Sequence, residues 1–158
     1  MTFKSGPIDG LIVRKLVVHN DQRGWLSELF RTDELDPNFM PVMAYISSTS
    51  PGIARGPHEH LDQADCFCFV GPSVFRIVCW DNRKSSPTFG NSVSIEAGEG
   101  NPMSMIVPPG VVHGYKNIGE KDGWVINLPN RLYAGKGKKE KVDEIRHEHD
   151  STSQFKLD

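Results

Sequence analysis

Three histidines and one aspartate have types and spacing that could form a reactive site. His58 and His60 lie two residues apart, Asp65 follows five residues later, and His113 lies on a second segment. Residues two apart on a β-strand point to the same face, so His58 and His60 can both face one cavity. A histidine from a neighbouring strand would complete a polar cluster inside a small β-barrel. Such a cluster suits either proton transfer or the binding of a metal ion.

The segments that must position these residues predict short strands rather than helices. Glycine and proline recur along the whole chain, and the runs between them include one, residues 74–80, that is rich in β-branched and aromatic side chains. The runs that predict strands are residues 11–18, 43–47, 66–70, 74–80, 103–107 and 124–128. Residues 19–24 have turn character and are expected to end the first strand, and residues 32–36 form at most one helical turn. This pattern predicts an all-β sandwich or barrel.

Length and composition fit one globular domain. A chain of 158 residues can bury a core without disulfides or a structural metal, so we expect a single domain over residues 1–158 with a polar tail from about residue 134. The formal net charge of −2 gives no reason to expect nucleic acid or a membrane surface as a partner. No apolar run has membrane-spanning length, and the three cysteines, Cys66, Cys68 and Cys79, lie in apolar runs. We therefore expect reduced cysteines and a cytoplasmic protein.

Four motifs, in the same order along the chain, resemble those of the dTDP-4-dehydrorhamnose 3,5-epimerase family. D-Q-R-G-W-L-S-E over residues 21–28 is similar to D-x-R-G-x-F-x-E, and R-G-P-H over residues 55–58 resembles R-G-L-H. Residues 81–90 fit D-x-R-x-x-S-P-T-F-G, and residues 108–115 resemble P-x-G-x-A-H-G-F. The resemblance implies a cupin-type double-stranded β-helix (jelly-roll) barrel and a homodimer.

The same resemblance implies an isomerase that acts on a nucleotide-linked (dTDP) 4-keto-6-deoxyhexose at C3, C5 or both. His58 would be the general base that removes a proton from the sugar, and Tyr133 would be the acid on the opposite face of the ring. The residues expected to hold the substrate are Arg23, Glu28, Arg55, His60 and His113. A histidine of ordinary pKa about 6.5 suits the base, and a tyrosine of ordinary pKa about 10 keeps its proton at pH 7. This route needs no metal and no redox cofactor.

Two positions depart from the family pattern. Asp65 stands where the family has a lysine that is expected to stabilise the enolate oxygen, and an anion there would oppose the enolate. The carboxylate that orients the base in the family has no clear match here, and Asp143 and Asp150 are the candidates for it.

Three other functions fit some of the same residues. His58, His60, Asp65 and His113 are also near the motif of metal-dependent cupins, and three histidines with one carboxylate would suit Zn, Fe, Mn or Ni. The R-G-x-H-x-H segment is similar to that of sugar-nucleotide 3,4-ketoisomerases, which would use both histidines to move a proton between neighbouring carbons. A barrel that binds a nucleotide sugar without converting it is the non-enzymatic alternative.

Overall fold

The structure, a computed structural model, describes residues 2–157. Within that range the chain forms thirteen β-strands and one short 3₁₀ helix at Lys136–Lys138. The strands are β1 (Lys4–Ser5), β2 (Ile12–Lys15), β3 (Val18–Asp21), β4 (Gly24–Ser27), β5 (Tyr45–Thr49), β6 (Ala54–Glu59), β7 (Asp65–Phe69), β8 (Val74–Asp81), β9 (Asn91–Gly98), β10 (Met103–Val107), β11 (Val111–Asn117), β12 (Gly123–Asn127) and β13 (Ile145–Arg146). No helix among the described residues is long and apolar enough to cross a membrane.

The strands form two sheets and a separate hairpin. One sheet has the order β1-β9-β8-β11-β6-β13, the other has the order β2-β10-β7-β12-β5, and among the described residues β3 pairs with β4 alone. All pairings are antiparallel except that of β1 with β9. The main apolar core lies between the two sheets, because it joins residues of β7, β10 and β12 to residues of β8, β9 and β11. This is the expected all-β jelly-roll architecture.

Strand β7 shows how the sequence sorts its side chains between two faces. Phe67 and Phe69 belong to the core between the sheets, whereas Cys66 and Cys68 belong to a second core on the other face of the sheet. Successive residues of a strand point to opposite faces, so Asp65 has the same orientation as the two phenylalanines. A carboxylate is thereby placed on the inner face of the barrel. The cysteines are buried and unpaired, as predicted.

The C-terminal tail packs along the sheet that carries the histidines. Strand β13 pairs with β6, and Arg146 lies opposite His58. Further on, Phe155 is buried against Trp80 and Phe3 on the outer face of that sheet. The polar tail is thus held by a few apolar contacts and one strand pair, and it borders the strand that bears His58.

Most of the predicted strands are present, with shifted ends. The run 11–18 is wrong as one strand, because it divides into β2 and the first residue of β3. Residues 19–24 do not simply end a strand; they form most of the β3–β4 hairpin, in which Asp21 pairs with Gly24. The single turn expected at 32–36 is confirmed, since the backbone N–H groups of Glu34 and Leu35 both donate to the carbonyl of Arg31.

Candidate active site

Strand pairing brings the three predicted histidines together. His58 on β6 lies directly opposite His113 on β11, and their ring centroids are 4.6 Å apart. His60 follows the last residue of β6, and its ring centroid is 5.3 Å from that of His58. Asp65 approaches from β7 on the facing sheet. One nitrogen or oxygen atom from each of the four residues lies within 4.8 Å of the others.

A glycine allows the two histidine strands to approach this closely. Gly56 has a φ of 80°, which L side chains rarely adopt. A Cβ atom at this position would lie 2.8 Å from the carbonyl oxygen of His113. The register between β6 and β11 also shifts between His113 and Tyr115. Gly56 therefore permits the irregular pairing that sets His58 beside His113.

Asp65 is buried at the centre of the cluster and held by two amides. Its Oδ1 accepts hydrogen bonds from Gln63 Nε2 at 2.9 Å and Asn127 Nδ2 at 2.8 Å. Its Oδ2 lies 3.0 Å from His60 Nε2 and 3.4 Å from His113 Nε2. Burial would raise the pKa of Asp65, but the contacts with His113 and His60 outweigh burial and lower it. Asp65 is therefore ionised at neutral pH.

The pKa values of the two histidines nearest the cavity shift in opposite directions. Burial, together with the neighbouring His113 and His60, lowers the pKa of His58 to about 2. Burial also acts to lower the pKa of His60, but the bond and the charge of Asp65 outweigh it, so the pKa of His60 is raised. His58 is therefore neutral at pH 7, and its side chain is 16% exposed. A neutral imidazole has the lone pair that a general base needs, but a pKa this low makes it a weak base unless a neighbouring carboxylate stabilises the imidazolium.

A cavity of about 830 Å³ opens beside the cluster. This volume lies in the range of small-molecule sites. His58 and His60 contribute to one wall, and the loop and tail after β12 contribute much of the remainder. The other ionisable side chains on the cavity wall include Tyr45, Asp62, Arg131, Tyr133, Glu140, Asp143, Glu144 and Arg146.

The tail fixes the loop that follows His60. The carboxylate of Asp143 accepts hydrogen bonds from the backbone N–H groups of Leu61 and Asp62 at 2.8 Å and of Gln63 at 2.9 Å. The backbone carbonyl of Asp143 also contacts Nδ1 of His60. One residue of the tail thus holds both the loop and the His60 ring.

Glu144, and neither predicted aspartate, lies beside His58. Its Oε1 is 3.8 Å from Nδ1 of His58, and its Oε2 pairs with Arg146 at 2.7 Å. Asp143 is occupied by the loop amides, and Asp150 accepts bonds from Thr152 in an exposed turn. We expected Asp143 or Asp150 to be the carboxylate that orients His58, and the structure places Glu144 there instead. The reason is the pairing of β13 with β6, which joins distant parts of the chain and brings Glu144 beside His58.

The other predicted site residues divide into two groups. Tyr133 lies on the cavity wall together with His58, whereas His113 lies deeper, at 3% exposure. Within residues 2–157, Arg23, Glu28 and Arg55 are not among the residues that line this cavity. Their roles toward a substrate stay predictions.

Those three residues have other partners in the structure. Arg23 pairs with Asp21 in the β3–β4 hairpin, and Glu28 lies 3.5 Å from Arg31. The guanidinium of Arg55 donates to the hydroxyl of Thr49 and the backbone carbonyl of Ser48. One chain alone therefore does not bring them to the histidine cluster.

Sequence reasoning missed Tyr45, Asn127 and Gln63 as site residues. The hydroxyl of Tyr45 accepts a hydrogen bond from Asn127 Nδ2 at 2.9 Å, and the same nitrogen donates to Asp65. Burial is the main cause that raises the pKa of Tyr45 to about 12. The sequence signal of Tyr45 and Asn127 is inward alternation on β5 and β12, which does not separate site residues from core residues, and Gln63 lies in the loop between β6 and β7.

Comparison with known proteins decides the family. The model of the family described as dTDP-4-dehydrorhamnose 3,5-epimerase matches residues 5–142. The chain belongs to this family. The predicted recognition is confirmed, and with it the expectation of an epimerase-like isomerase of nucleotide-linked sugars.

Curated relatives and a solved structure agree with this membership. The chain is 41% identical over 123 residues to the "Probable low-salt glycan biosynthesis epimerase Agl13" of Haloferax volcanii, covering 77% of this chain and 78% of the relative. It is 37% identical over 127 residues to the "Spore coat polysaccharide biosynthesis protein SpsL" of Bacillus subtilis, covering 80% and 82%. The crystal structure of dTDP-4-dehydrorhamnose 3,5-epimerase from Sulfolobus tokodaii superposes with a TM-score of 0.72 at 28% identity, covering 92% of this chain and 82% of that one.

Proposed function

We propose that this protein epimerises a nucleotide-linked 4-keto-6-deoxyhexose by removing and returning a proton at C3, C5 or both. The observation that carries the proposal is His58, a neutral imidazole on the wall of a cavity of substrate size, with a carboxylate beside it. Family membership supports the substrate class.

The reaction requires a base and an acid on opposite faces of the sugar. The carbonyl at C4 acidifies the neighbouring C–H bonds, because the resulting carbanion spreads into an enolate. His58 takes the proton, and the carboxylate of Glu144, 3.8 Å away, favours the imidazolium that forms. Tyr133 on the same cavity then returns a proton from the other face, which inverts the carbon.

We propose a homodimer as the working form, and the β3–β4 hairpin supports it. Within the described part of the chain this hairpin pairs with no other strand, and its Trp25 and Leu26 are 56% and 61% exposed. An isolated two-stranded hairpin is marginally stable in water, so a second copy that covers these side chains would stabilise it. Arg23 and Glu28 lie on or next to the hairpin, and the dimer would let them reach the cavity of the second copy.

The proposed setting is the assembly of a polysaccharide from nucleotide sugars in the cytoplasm. The two relatives described above carry names from glycan and spore coat polysaccharide biosynthesis, which supports this setting. The three buried, unpaired cysteines are typical of proteins in a reducing compartment.

Replacing His58 tests the proposed chemistry. We expect His58→Asn to slow inversion of dTDP-4-keto-6-deoxyglucose by about 10²- to 10⁴-fold, because the base is lost. NMR of the product measures inversion, and calorimetry with dTDP should give an affinity close to that of the wild type. The matched control is His149→Asn, since His149 is exposed and lies outside the cavity lining.

Two results would overturn the proposal. One is a His58→Asn variant that inverts the sugar as fast as the wild type. The other is a wild-type product whose carbonyl has moved to C3 with no inverted carbon, which is the outcome of a 3,4-ketoisomerase.

A further inference from the structure

We propose that His60, Asp65 and His113 bind one divalent transition-metal ion beneath the cavity, at a position that His58 faces. The proposal does not depend on the epimerase reaction. It rests on how the ring nitrogens, the carboxylate and their outer partners are arranged.

The outer hydrogen bonds fix which nitrogen of each ring carries its proton. Nδ1 of His113 is 3.0 Å from the carbonyl oxygen of Val111, and Nδ1 of His60 contacts the carbonyl oxygen of Asp143. A carbonyl oxygen only accepts, so each Nδ1 must donate a proton. In each neutral ring the lone pair then lies on Nε2, and both Nε2 atoms face Oδ2 of Asp65.

Three electron-pair donors therefore converge on one buried point. Within residues 2–157, neither Oδ2 of Asp65 nor Nε2 of His113 has a hydrogen-bond partner, and the two residues are 1% and 3% exposed. Nε2 of His60 lies 3.0 Å from Oδ2 of Asp65 and has a long contact of 3.4 Å with the amide nitrogen of Gln63. A proton on His60 would satisfy its contact with Asp65 but would leave His113 Nε2 without a partner. A metal ion would satisfy all three atoms.

The two distances from Oδ2 of Asp65 fit a single ion. Imidazole nitrogen and carboxylate oxygen bind such metals at about 2.1 Å. Two ligands at that distance are about 3.0 Å apart at a right angle and about 3.4 Å apart at the tetrahedral angle. The observed distances from Asp65 Oδ2 are 3.0 Å to His60 Nε2 and 3.4 Å to His113 Nε2.

The surrounding contacts are those of ligands held in place before the ion binds. Each histidine donates its other N–H to a backbone carbonyl, and the second oxygen of Asp65 accepts from Gln63 and Asn127. Such partners orient metal ligands and set the histidine tautomer. Two imidazoles and one carboxylate suit Zn²⁺, Fe²⁺ or Ni²⁺ and leave a coordination position open toward His58.

The ion would change the charge beneath the cavity. Asp65 puts a negative charge where the family resemblance places a lysine. A divalent ion bound to Asp65 would make that point positive without adding a basic side chain. Because its ligands are buried and fixed, this charge would persist whether or not a sugar is bound.

Zinc binding by the purified protein tests the site directly. The full chain is prepared without a His tag, stripped with a chelator, and titrated with zinc chloride by calorimetry, with metal analysis after dialysis. We expect one equivalent per chain, and we expect Asp65→Asn and His113→Gln each to weaken binding by at least about 100-fold, since changes in the outer partners alone typically cost 10- to 100-fold. The matched control is His147→Asn, which removes a histidine paired with Glu59 outside the cluster and should bind like the wild type.

The measurement has a clear negative result. A wild type that binds less than one equivalent, or that binds no more tightly than Asp65→Asn and His113→Gln, overturns the site and leaves a protonated His60 paired with Asp65. If one variant fails to fold by circular dichroism, the other variant and the wild-type stoichiometry decide. Because the experiment measures zinc binding and not activity, its outcome would be the same if the proposed epimerase function were wrong.

Discussion

At the scale of single residues, His58 and Tyr133 occupy one cavity but have different surroundings. His58 is mostly buried between two histidines and faces a carboxylate, whereas Tyr133 lies exposed on the segment after β12. This difference fits a division of work in which His58 removes the proton and Tyr133 returns one from the opposite face. The two steps can be measured separately, because proton removal exchanges deuterium even when no carbon is inverted.

Tyr133→Phe should uncouple these two steps. We expect this variant to lose inversion by about 10²-fold or more, because the acid is missing, while deuterium exchange into the substrate continues through His58. NMR in D₂O follows both quantities in one sample. Tyr45 provides the competing phenol on the same cavity. If Tyr45→Phe uncouples exchange from inversion and Tyr133→Phe does not, the acid is assigned to the wrong tyrosine.

The spacing of residues in the sequence predicted the histidine cluster but not the side chains that contact it. His58 and His60 were placed by strand alternation, and the structure brings them together with Asp65 and His113. Glu144 escaped prediction because its approach to His58 depends on pairing between strands far apart in the chain. No local pattern marks such a contact, since it follows from the position at which the tail crosses the sheet.

At the scale of elements, the tail is a structural part of the site. Asp143 joins it to the loop after His60 through three backbone N–H groups, and β13 extends the sheet beyond β6. The tail therefore closes one side of the cavity. Its composition predicted a polar tail from about residue 134, and a few specific contacts hold that tail against the sheet.

Asp143→Ala should loosen this part of the molecule. We expect the free energy of unfolding to fall by about 2 kcal/mol, because hydrogen bonds to a charged acceptor are lost. Urea denaturation measures the change, and hydrogen exchange should show faster exchange at Leu61 and Asp62. The matched control, Asp150→Ala, removes an exposed carboxylate that accepts hydrogen bonds from Thr152 of its own turn and should leave the loop unchanged. Equal loss of stability in the two variants would contradict the role given to Asp143.

Strand β6 shows why sequence patterns located some elements and not others. The strand contains Gly56 and Pro57, two residue types that usually weaken strands, so its sequence carries little strand signal. It forms because both neighbours, β11 and β13, pair with it. By contrast, β8 carries β-branched and aromatic residues and was predicted within one residue of its end. Local preference located β8, and tertiary contacts determine β6.

At the scale of the whole molecule, the described residues form a barrel whose outer faces are covered in part by the chain's own segments. The second core, on the outer face of the β7 sheet, includes Leu35 and Phe39, and the third core includes Phe155 of the tail. We propose on this basis that the chain folds as a single domain. The frequency of short strands and turn residues predicted the all-β class, whereas the order of strands in each sheet needed the structure.

Leu26→Glu should separate the proposed dimer. The wild type should sediment at twice the chain mass of 17.6 kDa, and the charged variant should sediment as a monomer, because a charge is costly in an apolar interface. Analytical ultracentrifugation measures both. The control is Ile53→Glu, an equally exposed apolar position in the turn before β6. A wild type that is monomeric, or a Leu26→Glu variant that stays dimeric, would contradict the interface.

Deuterium exchange into dTDP-4-keto-6-deoxyglucose tests the central claim most directly. The wild type in D₂O should incorporate deuterium at C3, C5 or both, at positions that NMR identifies, and the His58→Asn variant should not. Absence of exchange with the wild type, or equal exchange with the variant, would contradict proton abstraction by His58.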